Sequence, residues 1–496
     1  MGVVSKQSIL NFVTSYIGVI IGAVNTVLLF PNIFSASEFG LTRIIVSAAM
    51  LTSSLFSFGI NNITIKFFPQ FKNKEKKHNG FLFFIMLVPF LGYLLFLLST
   101  FIFRTDIISY YSKNSPLINE NYPYFIILTL YIIYLSLFDS YLRALHKSVV
   151  FSFLDNIVLK LIWLSLIILY YFNYLNFNQF IFGYVNAYGL LVLIEIMYLV
   201  TIKEFFIKPN FKRFDIKTTK KIISYGLYTM FGAGITGTAA VIDSLFIGFL
   251  DKDGLAGVAF YSVAYYVSFL IVIPFYSLLR IINTSISEAW KNNDIDKINV
   301  IYKKSSNNLL IIGMLIFLGI WLNVDSFFQL VPTDYAQAKY VLLFICIAKI
   351  YEISVGINGM IIKFSNYFKI IFFTNLLLIF LLISTDYLLI PSMGIVGAAL
   401  ATLFTTFLIV TFYLVFLYSK FKILPFTSKS IFTIIISVSI YLIVSIFPDF
   451  NNLILNVTLK SITIILLYVP SIYLFKISPD INSLIDKYLL KLRMKK

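Results

Sequence analysis

Apolar runs of about 20 residues recur from one end of this 496-residue chain to the other, and each can cross about 30 Å of hydrocarbon. With 59% hydrophobic residues, the composition excludes a soluble domain of this size. The chain reads as an all-α polytopic membrane protein. Spans are predicted at about 9–31, 41–66, 80–103, 122–142, 149–172, 179–202, 222–249, 256–282, 305–325, 338–362, 368–390, 394–418, 430–447 and 456–475, about 14 transmembrane helices.

The loops test this count, because inward loops should hold the Lys and Arg. With the N-terminus inside, "KFFPQFKNKEKKHN" (66–79), "RALHKS" (143–148), "KEFFIKPNFKRFDIKTTKK" (203–221), "KNNDIDKINVIYKK" (291–304), "KFSNYFK" (363–369), "KFKILPFTSK" (420–429) and the tail from Lys476 all fall inside. Together with Lys6 they hold about 30 of the 39 basic residues. The outward loops "NIFSASEFG", "NYLNFN" and "STDYLLIPSM" hold none. Both ends are therefore expected in the cytoplasm. The net charge of +17 belongs mostly to that face, where it suits anionic lipid and calls for no nucleic acid.

The largest inward loop follows six spans; six more come after it, and then a pair. An even-numbered half repeats with the same orientation, and two such halves would enclose a central cavity. "SASEFGLTRIIVSA" after span 1 and "DKDGLAGVAFYSVA" after span 7 hold equivalent places. The expected organisation is an N-terminal six-helix lobe (1–202), a basic cytoplasmic linker (203–221), a C-terminal six-helix lobe (222–418), helices 13 and 14 (419–476) and a basic cytoplasmic tail (477–496). Cys346 is the only cysteine, so no disulfide forms within the chain. His78 and His146 fall in inward loops, which excludes a His-based intramembrane metal site. The first apolar stretch is too long and continuous for a cleaved signal peptide and is read as span 1.

Small residues in "FGAGITGTAA" (231–240) and "MGIVGAALAT" (393–402) mark close helix contacts. With "SEFGL" (37–41), "FGINNITIKFFPQF" (58–71), "YLRAL" (141–145), "VIDSLFIG" (241–248), "GVAFYSVAYY" (257–266) and "IPSMGIVGAALAT" (390–402), the chain resembles the polysaccharide-unit flippases over its whole length and in order. These belong to the superfamily that also holds multidrug and toxin extrusion transporters and peptidoglycan-precursor flippases. The resemblance implies two six-helix lobes around a cavity that alternates between inward-open and outward-open, plus a C-terminal helix pair typical of the flippase branches. It implies an undecaprenyl-pyrophosphate-linked oligosaccharide as substrate, moved from the inner to the outer leaflet of the bacterial inner membrane for surface polysaccharide such as lipopolysaccharide O-antigen. Membrane lipids, a polysaccharide polymerase and glycosyltransferases are the partners this suggests.

The ionisable residues within spans are Arg43, Asp139, Asp155, Lys160, Glu195, Asp243, Arg280, Lys349 and Glu352. Asp139 and Arg143 are i,i+4 and expected to pair, and Lys349 and Glu352 are i,i+3 and expected to neutralise each other. Lys160 is harder to dismiss. Within "FLDNIVLKLIWLSLIILYYF" (153–172), it lies about 11 residues into the span that starts at 149, near the midplane, where a charge costs roughly 2.5–3.5 kcal/mol. Asp155, five residues away on an ideal helix, is not a same-face partner. Lys160 therefore needs an anion from another helix or an aqueous cavity. Arg280 follows Pro274 in span 8, Lys66 ends span 2 and Arg43 begins it. Together Arg43, Lys66, Lys160 and Arg280 are the candidate cationic route for a pyrophosphate, in which Arg grips in bidentate fashion and Lys acts as a point charge. For Lys66 and Arg280 the plainer reading is positive-inside flanks. Asp243 and Glu195 are the candidates for coupling to H+ or Na+; no other cofactor is called for.

An enzyme reading lacks support. The longest outward segment, "RTDIISYYSKNSPLINENY" (104–122), holds only Asp106 and Glu120 as acids, and no phosphate-binding Gly-rich loop or H-E-x-x-H motif appears. A cation-coupled multidrug exporter of the same fold would need cavity acids, for which Glu195 and Asp243 could serve; the excess of embedded cations and the extra helix pair argue against it. A peptidoglycan-precursor lipid flippase shares the anionic substrate class and is not separated from the first choice by sequence.

Overall fold

A span cut off from water must satisfy its own backbone, and a helix does so within one segment. The computed structural model describes residues 3–210, 214–233, 239–448, 450 and 452–493, and every regular element among them is helical. Twelve of the described helices are long and apolar enough to cross a membrane. Thr333–Val355 and Asn358–Phe364, bent by 47°, are together long and apolar enough for one more, which gives up to 13. The predicted seventh span falls on Ile216–Ala233 and Ala239–Leu250; residues 234–238 lie outside the described ones. The expectation of about 14 helices agrees with this architecture.

Packing divides the chain into two units, Met1–Val263 with Ile383–Ile395 and Ala264–Leu382 with Val396–Lys496. The first holds α1 (Val3–Ala23), α2 (Ala36–Phe56), α3 (Ile60–Phe71), α4 (Phe81–Ile102), α5 (Leu117–Ala144), α6 (Leu159–Tyr171), α7 (Phe177–Thr201), α8 (Ile216–Ala233), α9 (Ala239–Leu250) and the start of α10 (Leu255–Phe269). The second holds α11 (Ile273–Lys291), α12 (Ile295–Trp321), α13 (Lys339–Val355), α14 (Asn358–Phe364), most of α15 (Lys369–Met393) and of α16 (Ile395–Phe421), α17 (Ser428–Ser445), α18 (Leu453–Leu474) and α19 (Pro479–Arg493).

In the first unit, "SASEFG" proves to be a capping box. The Ser35 hydroxyl accepts from the Glu38 N–H at 3.3 Å, and the Glu38 carboxylate accepts from the Ser35 N–H at 2.9 Å. One turn on, Gly40 lets α2 meet α10, since a Cβ there would lie 1.7 Å from the Leu255 carbonyl oxygen. The predicted second span, 41–66, is broken between α2 and α3, with Phe58 at φ 51° and Gly59 at φ 68°. Gly59 supplies the left-handed turn cheaply and leaves no room for a side chain against the Gly226 carbonyl.

The linker is also more than a basic tether. Glu204 binds His78 Nε2 at 2.6 Å and accepts from Lys74 at 3.1 Å, while Tyr141 donates to its backbone carbonyl at 3.1 Å. Phe214 stacks on Phe71 and Phe84, extending the core formed by α3, α4 and α5.

In the second unit, α12 is central. Tyr468 of α18 donates to its Ile311 carbonyl at 2.9 Å, and α17 and α18 pack on it through Ile436, Ile440 and Ile464. The outer faces of α17 and α18 keep Ile431, Leu442 and Leu466 exposed, as helices bordered by lipid should. The predicted span 368–390 is α15, and the outward stretch "STDYLLIPSM" is helical up to Met393, running through Pro391, so that only Gly394 (φ 59°) turns the chain into α16. The run is apolar enough to continue the helix, and one glycine suffices for the turn.

Candidate functional site

Three polar groupings lie inside the first unit. The first is a zip between α1 and the helix that leads into α6. Asn11 donates to Ser148 at 3.1 Å, Thr14 and Ser152 share a bond of 2.9 Å, and Lys160 Nζ donates to the Gly18 carbonyl at 2.6 Å. Asn25 closes it by donating to the Lys160 carbonyl at 2.9 Å. Both helices carry a π turn here, Val24–Leu29 and Leu154–Val158. A π turn closes i→i+5 bonds, so residues five apart come nearly into line. Asp155 and Lys160 come within electrostatic reach of each other without forming an ion pair, the Lys160 ammonium binding Gly18 instead.

Arg43 stands close by. The capping box fixes the start of α2, and the Arg43 guanidinium sits about two turns below it, 5.1 Å from the Phe30 ring centre and 5.0 Å from that of Phe39. The rings orient the guanidinium by its face, and its Nε and Nη2 are buried with no hydrogen-bond partner in the chain. Lys160 is within its electrostatic reach. Arg43 and Lys160 are thus brought together. Lys66 lies beyond the Ser57–Gly59 break, exposed, with Nζ 3.5 Å from the Tyr225 ring centre. The side chain of Arg280 lies outside the described residues.

The second grouping joins Asp243 of α9, Tyr261 of α10 and Asp386 of α15. All three are essentially buried, Tyr261 donates to the Asp243 carboxyl, and the Asp386 carboxyl, neither of whose oxygens has a hydrogen-bond partner in the chain, lies within electrostatic reach of that of Asp243. Two buried carboxyls that repel each other are relieved by a proton or a small cation. Asp243 is among the candidates the sequence names and Asp386 is not, although it falls inside the predicted span 368–390; the available signal was an acid in an otherwise apolar run.

Glu195 forms the third. It is fully buried on α7, neither carboxyl oxygen has a hydrogen-bond partner in the chain, and its electrostatic neighbours are Asp139 and Asp155. Asp139 itself pairs with Arg143 at 2.8 Å. Among the described residues no group of three or more His, Cys, Asp or Glu side chains stands ready to hold a metal ion.

Chemically, Arg43 offers unclaimed donors to an oxyanion, whereas the buried acids offer places for a proton or small cation.

Residues 4–279 match a family model described as polysaccharide biosynthesis protein. In fold the chain is similar to a structure described as Lipid II flippase MurJ in an inward closed conformation, with a TM-score of 0.73, 17% identity, and coverage of 95% of this chain and 98% of that one. It is also similar to an inward-facing multidrug resistance MATE family transporter of the MOP superfamily, with a TM-score of 0.62, 10% identity and coverage of 83% and 98%. A MATE transporter from Vibrio cholerae gives a TM-score of 0.55, 11% identity and coverage of 85% and 99%. At these identities the three structures speak to fold alone. No curated protein sequence matches the chain.

Proposed function

This chain belongs to the polysaccharide biosynthesis protein family, and from that premise we propose that it is a flippase for undecaprenyl-pyrophosphate-linked oligosaccharide, moving the unit from the inner to the outer leaflet of the bacterial inner membrane. The observation that carries the reading is Arg43: a half-buried arginine, its guanidinium flanked by two aromatic rings, with two buried donor nitrogens unclaimed by the chain. Buried donors left unpaired are costly, and a pyrophosphate oxygen would complete them with charge-assisted bonds. Lys160 adds a second positive charge within reach, already steadied by the Gly18 carbonyl. Lys66 and Arg280 would flank the inward end of the route, with both chain termini on that side.

The lobes predicted at 1–202 and 222–418 would alternate access, while the lipid tail stays in the bilayer. Asp243, now with Asp386, and separately Glu195 are the proposed places for coupling to H+ or Na+. Delivery by glycosyltransferases and use by a polymerase belong to the same proposal.

The test uses a chain with Cys346→Ala and Ser47→Cys, one turn from Arg43 on the same face of α2. Native membranes are labelled with a small polar thiol reagent. Labelling that undecaprenyl-pyrophosphate-linked sugar slows is the expected result. Labelling at the same rate with and without the lipid would contradict a route past Arg43.

A further inference from the structure

Lys349 lies ten residues into α13, about 15 Å along it and so in the middle of its crossing. Its ammonium donates to Glu352 Oε2 at 3.1 Å and stands 5.9 Å from the Tyr265 ring centre. Tyr276 of α11 is within electrostatic reach of both ions and of Tyr265, and stacks on Phe269 at 5.9 Å. All these residues belong to the second unit.

The cluster is not sealed. The side chains of Lys349 and Glu352 are 15% and 32% exposed, and Tyr276 is 45% exposed. Partly bared ions at mid-span face water, because hydrocarbon would cost several kcal/mol for each. The pair is charge-compensated, which makes it a poor site for a lone phosphate and equally poor for a lone cation. What it presents is a cationic donor beside an anionic acceptor, with phenol rings as an apolar platform. Adjacent hydroxyls of a sugar ring match that donor–acceptor pair, and the C–H face of the sugar matches the rings.

We propose that Tyr265, Tyr276, Lys349 and Glu352 form a saccharide-binding subsite that takes an uncharged, polyhydroxylated part of the cargo. The inference rests on the lipid-linked-sugar reading above.

The test measures binding of two probes to the full chain in nanodiscs: undecaprenyl pyrophosphate, and the same lipid carrying a hexose–N-acetylhexosamine disaccharide. The wild type should bind the glycosylated probe about tenfold more tightly, the equivalent of about 1.4 kcal/mol. In Glu352→Gln and Tyr276→Phe, whose thermal melts check folding, the two affinities should converge. Equal affinities in the wild type, or a tenfold gap that survives in both variants, would overturn the subsite while leaving the flippase reading in place. Binding of neither probe by the wild type would overturn both.

Discussion

Arg43→Ala removes the donors on which the substrate reading depends. Transfer of the pyrophosphate-linked lipid should fall at least about tenfold, since charge-assisted bonds of about 1.5–3 kcal/mol are lost. Arg43→Lys should recover only part, because a point charge cannot grip two oxygens. Transfer rates in vesicles at matched protein content decide this. Lys160→Met is predicted to act differently. It strips the Gly18 carbonyl of its partner, so the melting temperature in detergent should drop along with transfer, by about 1–3 kcal/mol of stability. An unchanged melt would mean that the zip between α1 and α6 does not hold the fold. At this scale the sequence made Lys160 conspicuous, since a mid-span lysine has few excuses, but its partners were hidden. The Gly18 bond depends on which helices touch, and the Asp155 interaction on a π turn that no residue pattern announces.

Among the elements, close approaches and docked loops carry the sharpest expectations. Gly40→Ala would drive a Cβ into the Leu255 carbonyl and force α2 from α10, costing about 1–3 kcal/mol; a thermal melt reads it. The linker offers a pH test. Partial burial opposes ionisation of Glu204, but the bonds from His78 and Lys74 outweigh it and hold the carboxyl below its ordinary value. Its contribution is therefore complete above the ordinary value of about 4.5 and is lost as pH falls through the lower folded value. Asn73 donates its N–H to His78 Nδ1 at 3.0 Å, so Nε2 is the nitrogen that carries the proton toward Glu204. Glu204→Gln should loosen residues 203–210 by roughly 1–2 kcal/mol, seen as faster amide exchange and tryptic cleavage at neutral pH, and should flatten the acid dependence. Most of these elements were legible from length and polarity. The break at Ser57–Gly59 and the docking of Glu204 were not, because a left-handed residue decides the first and a tertiary ion pair the second.

For the whole molecule, hydropathy determined the all-helical, many-span architecture, since hydrocarbon permits so few alternatives. The alternation of basic loops supplied an expected orientation. The pairing of Asp243 with Asp386 was not readable, for it joins helices more than 140 residues apart. The central claim is that this chain carries a pyrophosphate-linked sugar between leaflets. Its most direct test reconstitutes the full chain into unilamellar vesicles containing undecaprenyl pyrophosphate that bears the disaccharide, and follows cleavage by a membrane-impermeant glycosidase. The account predicts that the initially protected inner-leaflet pool becomes cleavable in vesicles with the wild-type chain, much more slowly with Arg43→Ala, and not in empty vesicles. A protected pool that persists in the presence of folded wild-type protein would contradict it.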